Sequence, residues 1–179
     1  MNTMKALVVY ESMFGNTEQV ARAVADGLAE HLDVQVLEVG QAPAVIPDPL
    51  DLVVVGGPTH AFSMSRPGTR EDARRQGATG GDPQTGIREW LARLRASTHP
   101  VRVATFDTKV QKVRHLPGSA ARAAAKAVRK LGYASVARAE SFYVFDVKGP
   151  LVEDELRRAR AWGERLGAEA VNRAHQRIE

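Results

Sequence analysis

The sequence predicts an α/β fold built on a doubly wound, five-stranded parallel sheet, and three observations carry that expectation. Short, nearly continuous β-branched runs recur along the chain, as in strands covered on both faces. Amphipathic helical patterns fall between them, so strand and helix alternate in the way right-handed βαβ units require. The 179 residues suffice for one domain, expected over residues 1–179, with a sizeable core.

Each element has its own signal. KALVVY at Lys5–Tyr10 is the first strand, followed by a helix over Thr17–His31 with Val20, Val24 and Leu28 on one stripe. A second strand is expected at Val34–Val39. Pro43, Pro47 and Pro49 preclude a regular crossover helix after it, so a turn or short irregular segment is expected. DLVVVGG marks a third strand at Leu52–Gly56. From Pro58 to Gly86 the chain is rich in Gly, Pro, Thr and Arg and is expected to be a long irregular, functional loop. Ile87, Trp90, Leu91 and Leu94 define the next helix, and Val101–Phe106 a fourth strand. Residues 119–131 form an alanine-rich helix stopped at Gly132. A last strand lies around Ser141–Val144, and a last helix over about Val152–Arg173 turns Leu156, Ala159, Trp162 and Leu166 inward. Both tryptophans are expected in the core.

Composition narrows the chemistry. The absence of cysteine excludes disulfides, thiolate ligands and a cysteine nucleophile, and suits a reducing cytoplasm, where the protein is expected to reside. The apolar run at the N-terminus is too short for a signal sequence or a membrane span. The five histidines have no metal-ligand spacing, so no metal is expected. Net charge is +4, unevenly spread: residues 66–130 hold fifteen basic and five acidic side chains, whereas residues 1–65 hold two and eight. Such a basic middle third is either a solvated arginine-rich face or a surface for anionic ligands and acidic proteins. Its arginines are not interleaved with aromatics, which argues against nucleic acid. The oligomeric state has no signature in the sequence.

The loop that carries chemistry follows the first strand: Ser12-Met13-Phe14-Gly15-Asn16-Thr17. Here a strand turns directly into a helix N-terminus. Gly15 permits the backbone geometry and the close approach of an anion. Ser12, Asn16 and Thr17 add neutral donors, and the free N–H groups of the first helical turn complete an anion pocket. No G-x-G-x-x-G follows the strand and no G-K-[ST] follows the loop, so dinucleotide and nucleoside-triphosphate loops are unsupported.

This segment resembles the phosphate loop of the flavodoxin family, at the N-terminal position typical of that family. The order of strands and helices over nearly the whole chain is similar to a short-chain flavodoxin. The resemblance implies strand order 2-1-3-4-5, with flavin mononucleotide (FMN) across the carboxyl ends of the strands. Its phosphate would meet Ser12, the Phe14 backbone, Gly15, Asn16 and Thr17, with Met13 offering a backbone amide. The second family loop, after the third strand, reads Gly56-Gly57-Pro58-Thr59-His60-Ala61-Phe62. It implies ring contacts from Pro58 and Thr59, with His60 where an aromatic commonly stacks and Phe62 two residues on. The third loop lacks the family's usual tyrosine, leaving Asp107 and Thr108 to meet the pyrimidine edge through backbone groups.

Three functions are compatible with this reading. One is FMN-dependent electron transfer to a redox protein with an acidic docking surface. Another is an FMN oxidoreductase acting on a quinone- or porphyrinogen-like substrate through an open flavin face. The third is an interaction module that keeps the fold without flavin. The basic stretch is further expected to place Arg66 and Arg70 beside the ring edge, where their charge would favour the negatively charged reduced flavin.

Overall fold

A computed structural model describes residues 3–176. Its strands are β1 (Lys5–Tyr10), β2 (Asp33–Glu38), β3 (Leu52–His60), β4 (Ser63–Met64), β5 (Arg102–Val110), β6 (Ala134–Ser135) and β7 (Glu140–Val144). Its helices are α1 (Asn16–Leu28), α2 (Pro67–Arg75), α3 (Ile87–Arg93), α4 (Ala120–Lys130) and α5 (Glu155–His175). The parallel core runs β2-β1-β3-β5, and its last position is shared by β6 and β7, both paired to β5. With those two short pieces counted as one interrupted strand, the order is the expected 2-1-3-4-5. No helix among the described residues is long and apolar enough to cross a membrane.

Strand alternation sorts the core into two layers. Val8, Val54 and Phe106 face α1 and α5, packing with Val20, Val24, Leu28, Ala159 and Trp162. Leu7, Val9, Val53, Val55 and Val103 face the other way, onto Ile87, Trp90, Leu91 and Val128 of α3 and α4. Such two-sided burial explains why these strands read as unbroken apolar runs; each buried Val or Leu stabilises the fold by about 1.5–3 kcal/mol. Phe106, Phe142 and Trp162 meet edge to face at centroid distances of 6.0–6.1 Å. Trp90 is also core, its indole N–H donating to Pro43 O at 2.9 Å.

The proline-bearing connection after β2 forms only one short 3-10 turn, Val39–Gln41. Two expectations need correction. The 58–86 segment is not one irregular loop: β3 continues to His60, β4 pairs back on it, and α2 follows. Leu156 is not inward but 41% exposed; Glu155 is buried instead, accepting Tyr143 N at 2.7 Å.

Candidate functional site

At the carboxyl edge of the sheet the chain leaves β1 through Glu11, whose N–H donates to Gly56 O at 2.9 Å. It then turns through Ser12–Gly15 into α1. Gly15 caps that helix at φ 92°, a left-handed geometry that an L side chain adopts only at a cost. Ser12 Oγ accepts from Gly15 N at 3.1 Å, which closes the turn and leaves the hydroxyl proton available. The first rung of α1 is Gln19 N to Gly15 O at 3.1 Å, so the N–H groups of Asn16, Thr17 and Glu18 have no intrahelical acceptor. Nothing lies within 4 Å of where a Cβ on Gly15 would stand. The helix end therefore opens onto free space.

That space is a shallow, open cleft of about 440 Å³, much of it open to solvent at the mouth. Ser12, Met13, Phe14, Asn16 and Thr17 form one wall, and Pro58, Thr59 and His60 on the β3 extension form another. Thr108 and Val110 of β5, with Val144 and Val147, close the third. The topology brings all three loops together at the point where the strand order reverses.

Two contacts cross the cleft floor. The Thr17 and Thr108 hydroxyls lie 2.7 Å apart, so one donates to the other and one proton remains for a ligand. Asn16 Nδ2 donates to Lys148 O at 3.2 Å, tying α1 to the loop after β7. His60 Nδ1 lies 3.0 Å from Thr69 Oγ1. Burial, and then the charge of Arg70, hold the His60 imidazole below its ordinary pKa, so its neutral form is favoured.

Phe62 and Asp107 do not line the cleft. Phe62 sits with Ala61 at the tip of the β3–β4 hairpin, 49% exposed. Both tip residues have positive φ, 47° and 64°, the geometry of a tight two-residue hairpin usually made with Asn or Gly. Asp107 is fully buried between Gly57 and Ser141 in the sheet, with Oδ2 accepting Ala121 N at 2.9 Å at the start of α4. Burial pushes its carboxyl above the usual range.

Sequence reasoning did not find the polar network behind the phosphate-type loop. Arg70 of α2 is 0% exposed and Glu11 1%. Arg70 Nη1 donates to Ser65 Oγ at 2.7 Å and lies 3.8 Å from Glu11 Oε1; Nε donates to Pro83 O at 2.8 Å. Glu89 Oε2 stands 2.8 Å from Nη2 as an ion pair, although the angle is poor for a hydrogen bond. Glu11 also accepts from Ser65 Oγ and, at 2.9 Å, from Ile87 N. Burial pushes the Glu11 carboxyl up despite these donors. Burial acts upward on Glu89 too, but the Arg70 guanidinium beside it and the hydrogen bond from Gly86 N outweigh it and hold that carboxyl down.

Arg70 is therefore a structural cation compensated by two carboxylates, not the solvent-facing charge expected from the sequence. It anchors α2 and the turn after it, whose Gly80 N donates to Met13 O at 3.1 Å. A Cβ on Gly80 would come 2.5 Å from Ser12 O. The segment buttresses the back of the Ser12–Thr17 loop, and the Met13 side chain packs beneath it with Ala73 and Ala78. The available signal was Pro67, at the first helical position, with Thr69 two residues on. Thr69 Oγ1 accepts Arg66 N at 2.9 Å.

Large exposed apolar side chains gather around the same edge of the sheet. Phe62, Leu116, Phe145 and Val147 lie on the loops after β3, β5 and β7. Lys112 and Arg114 stand exposed on the loop after β5, and Arg66, also exposed, precedes α2 just after β4.

No protein-family model and no curated protein matches the chain by sequence. Solved structures do match. A flavodoxin from the domain Archaea superimposes with a TM-score of 0.65 at 20% identity, over 94% of this chain and 99% of that one. A Streptococcus pneumoniae flavodoxin gives 0.62 at 20% identity, over 92% and 99%. Oxidised flavodoxin 2 from Bacillus cereus gives 0.61 at 16%, over 94% and 99%. The Flv1 flavodiiron core of Synechocystis gives 0.65 at 14%, covering 95% of this chain and 36% of that larger one. The fold is that of the flavodoxins.

Proposed function

We propose that this chain binds FMN in the cleft and carries electrons to a redox partner with an acidic docking surface, within the cytoplasm. The observation that carries this reading is the cleft itself. At one strand-order reversal it joins an open helix N-terminus, neutral hydroxyl donors and an apolar wall. The N–H groups of Asn16 and Thr17, with the Ser12 hydroxyl, would hold a phosphate without any cation. Pro58, Thr59 and His60 would flank a planar ring opposite Val110 and Val144. Neutral His60 would offer its imidazole face or an N–H, adding no charge of its own at neutral pH. Bound FMN supplies the electron chemistry; the residues supply anchoring, partial exclusion of water and local charge. The apolar rim with interspersed basic side chains suits brief docking of an acidic partner over the ring. The fold neighbours named as flavodoxins support the same cofactor class.

The test is titration of FMN with the purified protein, read by quenching of flavin fluorescence. Saturable one-to-one quenching is expected. Ser12→Ala and Thr17→Ala should each weaken it by about tenfold, the loss of one hydrogen bond to a charged group (about 1.5–3 kcal/mol). Absence of quenching at millimolar FMN would leave the fold as a flavin-free interaction module.

One observation favours a second reading. The wall formed by Val110, Val144 and Val147 carries no aromatic side chain, which leaves room for a flat apolar substrate such as a quinone or porphyrinogen beside the ring. NAD(P)H-dependent quinone reduction by the protein alone would mark it as an oxidoreductase, whereas a simple carrier requires a separate reductase.

A further inference from the structure

Residues 108–139 contain eight Lys and Arg side chains and no Asp or Glu, while the rest of the chain is net −4. Lys109 is buried, its Nζ donating to Leu116 O at 2.8 Å and Gly118 O at 3.1 Å. The other seven are exposed. Three of them, Arg122, Arg129 and Arg138, rim a groove of about 1,100 Å³, including its open mouth, between α4 and the break separating β6 from β7.

This groove is distinct from the candidate flavin cleft and shares no residue with it. Arg122, Ala125 and Arg129 fall at i, i+3 and i+7, on one stripe of α4, so the two guanidinium stems are about 10 Å apart along the helix. Small apolar residues, among them Ala125, Val136 and Ala137, line the groove between the arginines. Arg158, Arg160 and Arg173 elsewhere are each paired with a glutamate. Among the described residues, the three groove arginines have no carboxylate partner. The neighbouring backbone is also incompletely paired. Val136 N reaches Val103 O at 3.0 Å, but Ala137–Ala139 have no ladder to β5, and this last strand position is an edge of the sheet.

We infer that the α4/β6–β7 groove is a docking site for an extended acidic polypeptide segment of a partner protein. Its carboxylates would be taken by Arg122, Arg129 and Arg138, and its backbone would lie along the interrupted sheet edge. Charge complementarity selects the occupant. Arginine forks bind carboxylates in bidentate fashion, and an exposed strand edge accepts an extended chain through main-chain hydrogen bonds. The groove holds no aromatic side chain on which a base would stack, which disfavours single-stranded nucleic acid. The site stands apart from the proposed FMN binding and does not depend on it.

The experiment uses the full chain and a fluorescein-labelled peptide alternating Glu and Ala, read by anisotropy at low and at physiological salt (about 0.15 M). A Lys–Ala peptide and a labelled oligothymidylate run in parallel. The triple variant Arg122→Glu, Arg129→Glu, Arg138→Glu should bind the acidic peptide at least about tenfold more weakly. The charge-matched control Lys112→Glu, Lys126→Glu, Lys130→Glu should bind it within about twofold of the parent. Amide shifts in an NMR titration should concentrate at Arg122–Arg129 and Ser135–Ala139. Equal losses in both triple variants would reduce the effect to overall charge and overturn the proposal. So would tighter binding of the oligothymidylate, or salt-dependent dimerisation abolished by the groove variant, which would make a second copy the occupant. All six positions are exposed, and unchanged circular dichroism and thermal unfolding midpoint check that the variants remain folded.

Discussion

Gly15 shows how one backbone angle shapes the site. Its φ of 92° is the only obstacle to a side chain there, since the space beside it is empty. Gly15→Ala should therefore cost about 1–2 kcal/mol in urea unfolding through backbone strain alone, and FMN quenching should weaken with it. Arg70 behaves differently, because removing a buried cation strands its partners. Arg70→Ala should destabilise by about 3–5 kcal/mol, leaving Glu11 and Glu89 uncompensated. The pH response follows from opposite signs at two residues. His60 titrates near 6.5 when unfolded and lower when folded. As pH falls through about 6.5 the unfolded chain takes up the proton first, so His60 subtracts stability on the acid side. Glu11 has a raised folded value, so between its unfolded value near 4.5 and that raised value, falling pH adds stability. His60→Gln should thus flatten the loss of urea midpoint between neutral pH and about pH 5.5; an unchanged slope would assign that loss to other groups.

Elements fit together here through specific close approaches. Helices α1 and α5 cross at glycines: a Cβ on Gly163 would lie 2.1 Å from Val24 O, and one on Gly27 2.0 Å from Arg160 O. Gly163→Ala should destabilise by about 1–3 kcal/mol through overpacking despite better helix propensity, as measured by thermal unfolding. Gly80→Ala should instead act on the site, pushing the turn after α2 off Ser12 and weakening FMN by about tenfold with a smaller loss of stability. The main strands and four of the helices were legible because burial imposes a period on the sequence. Helix α2, PGTREDARR, was not: it buries only Arg70 and Ala73, and a single buried arginine has no apolar stripe to announce it. Leu156 failed for the complementary reason. It matches an inward stripe, but the first turn of α5 is set by Glu155, which ties the helix to β7.

Across the whole molecule, charge is polarised along the chain. The first 65 residues are net −6, while the acid-free stretch 108–139 carries +8. Association with an acidic partner should therefore be fast at low salt and slow steeply as ionic strength rises, a dependence measurable by stopped flow. Redistribution within that charge matters more than the total. The sequence alone places Arg70 among the charges at the open edge of the sheet, yet in the fold its charge is consumed internally. Exposed Arg66 and the groove arginines keep their charge at the surface.

By itself the sequence determined the alternation of strands and helices and the Ser12–Thr17 loop at a helix N-terminus, whereas the strand order followed only from the resemblance to the flavodoxin family. The first two depend on local period, propensity and capping, which neighbouring residues specify together. Only the tertiary structure decided what lies beside that loop: the Thr17–Thr108 contact, the Glu11–Arg70–Glu89 network, the displacement of Phe62 and Asp107 from the cleft, and the groove beside α4. Each joins residues distant in sequence or turns a side chain towards one of two faces. Such choices rest on packing and desolvation summed over the whole fold, and no local pattern encodes them.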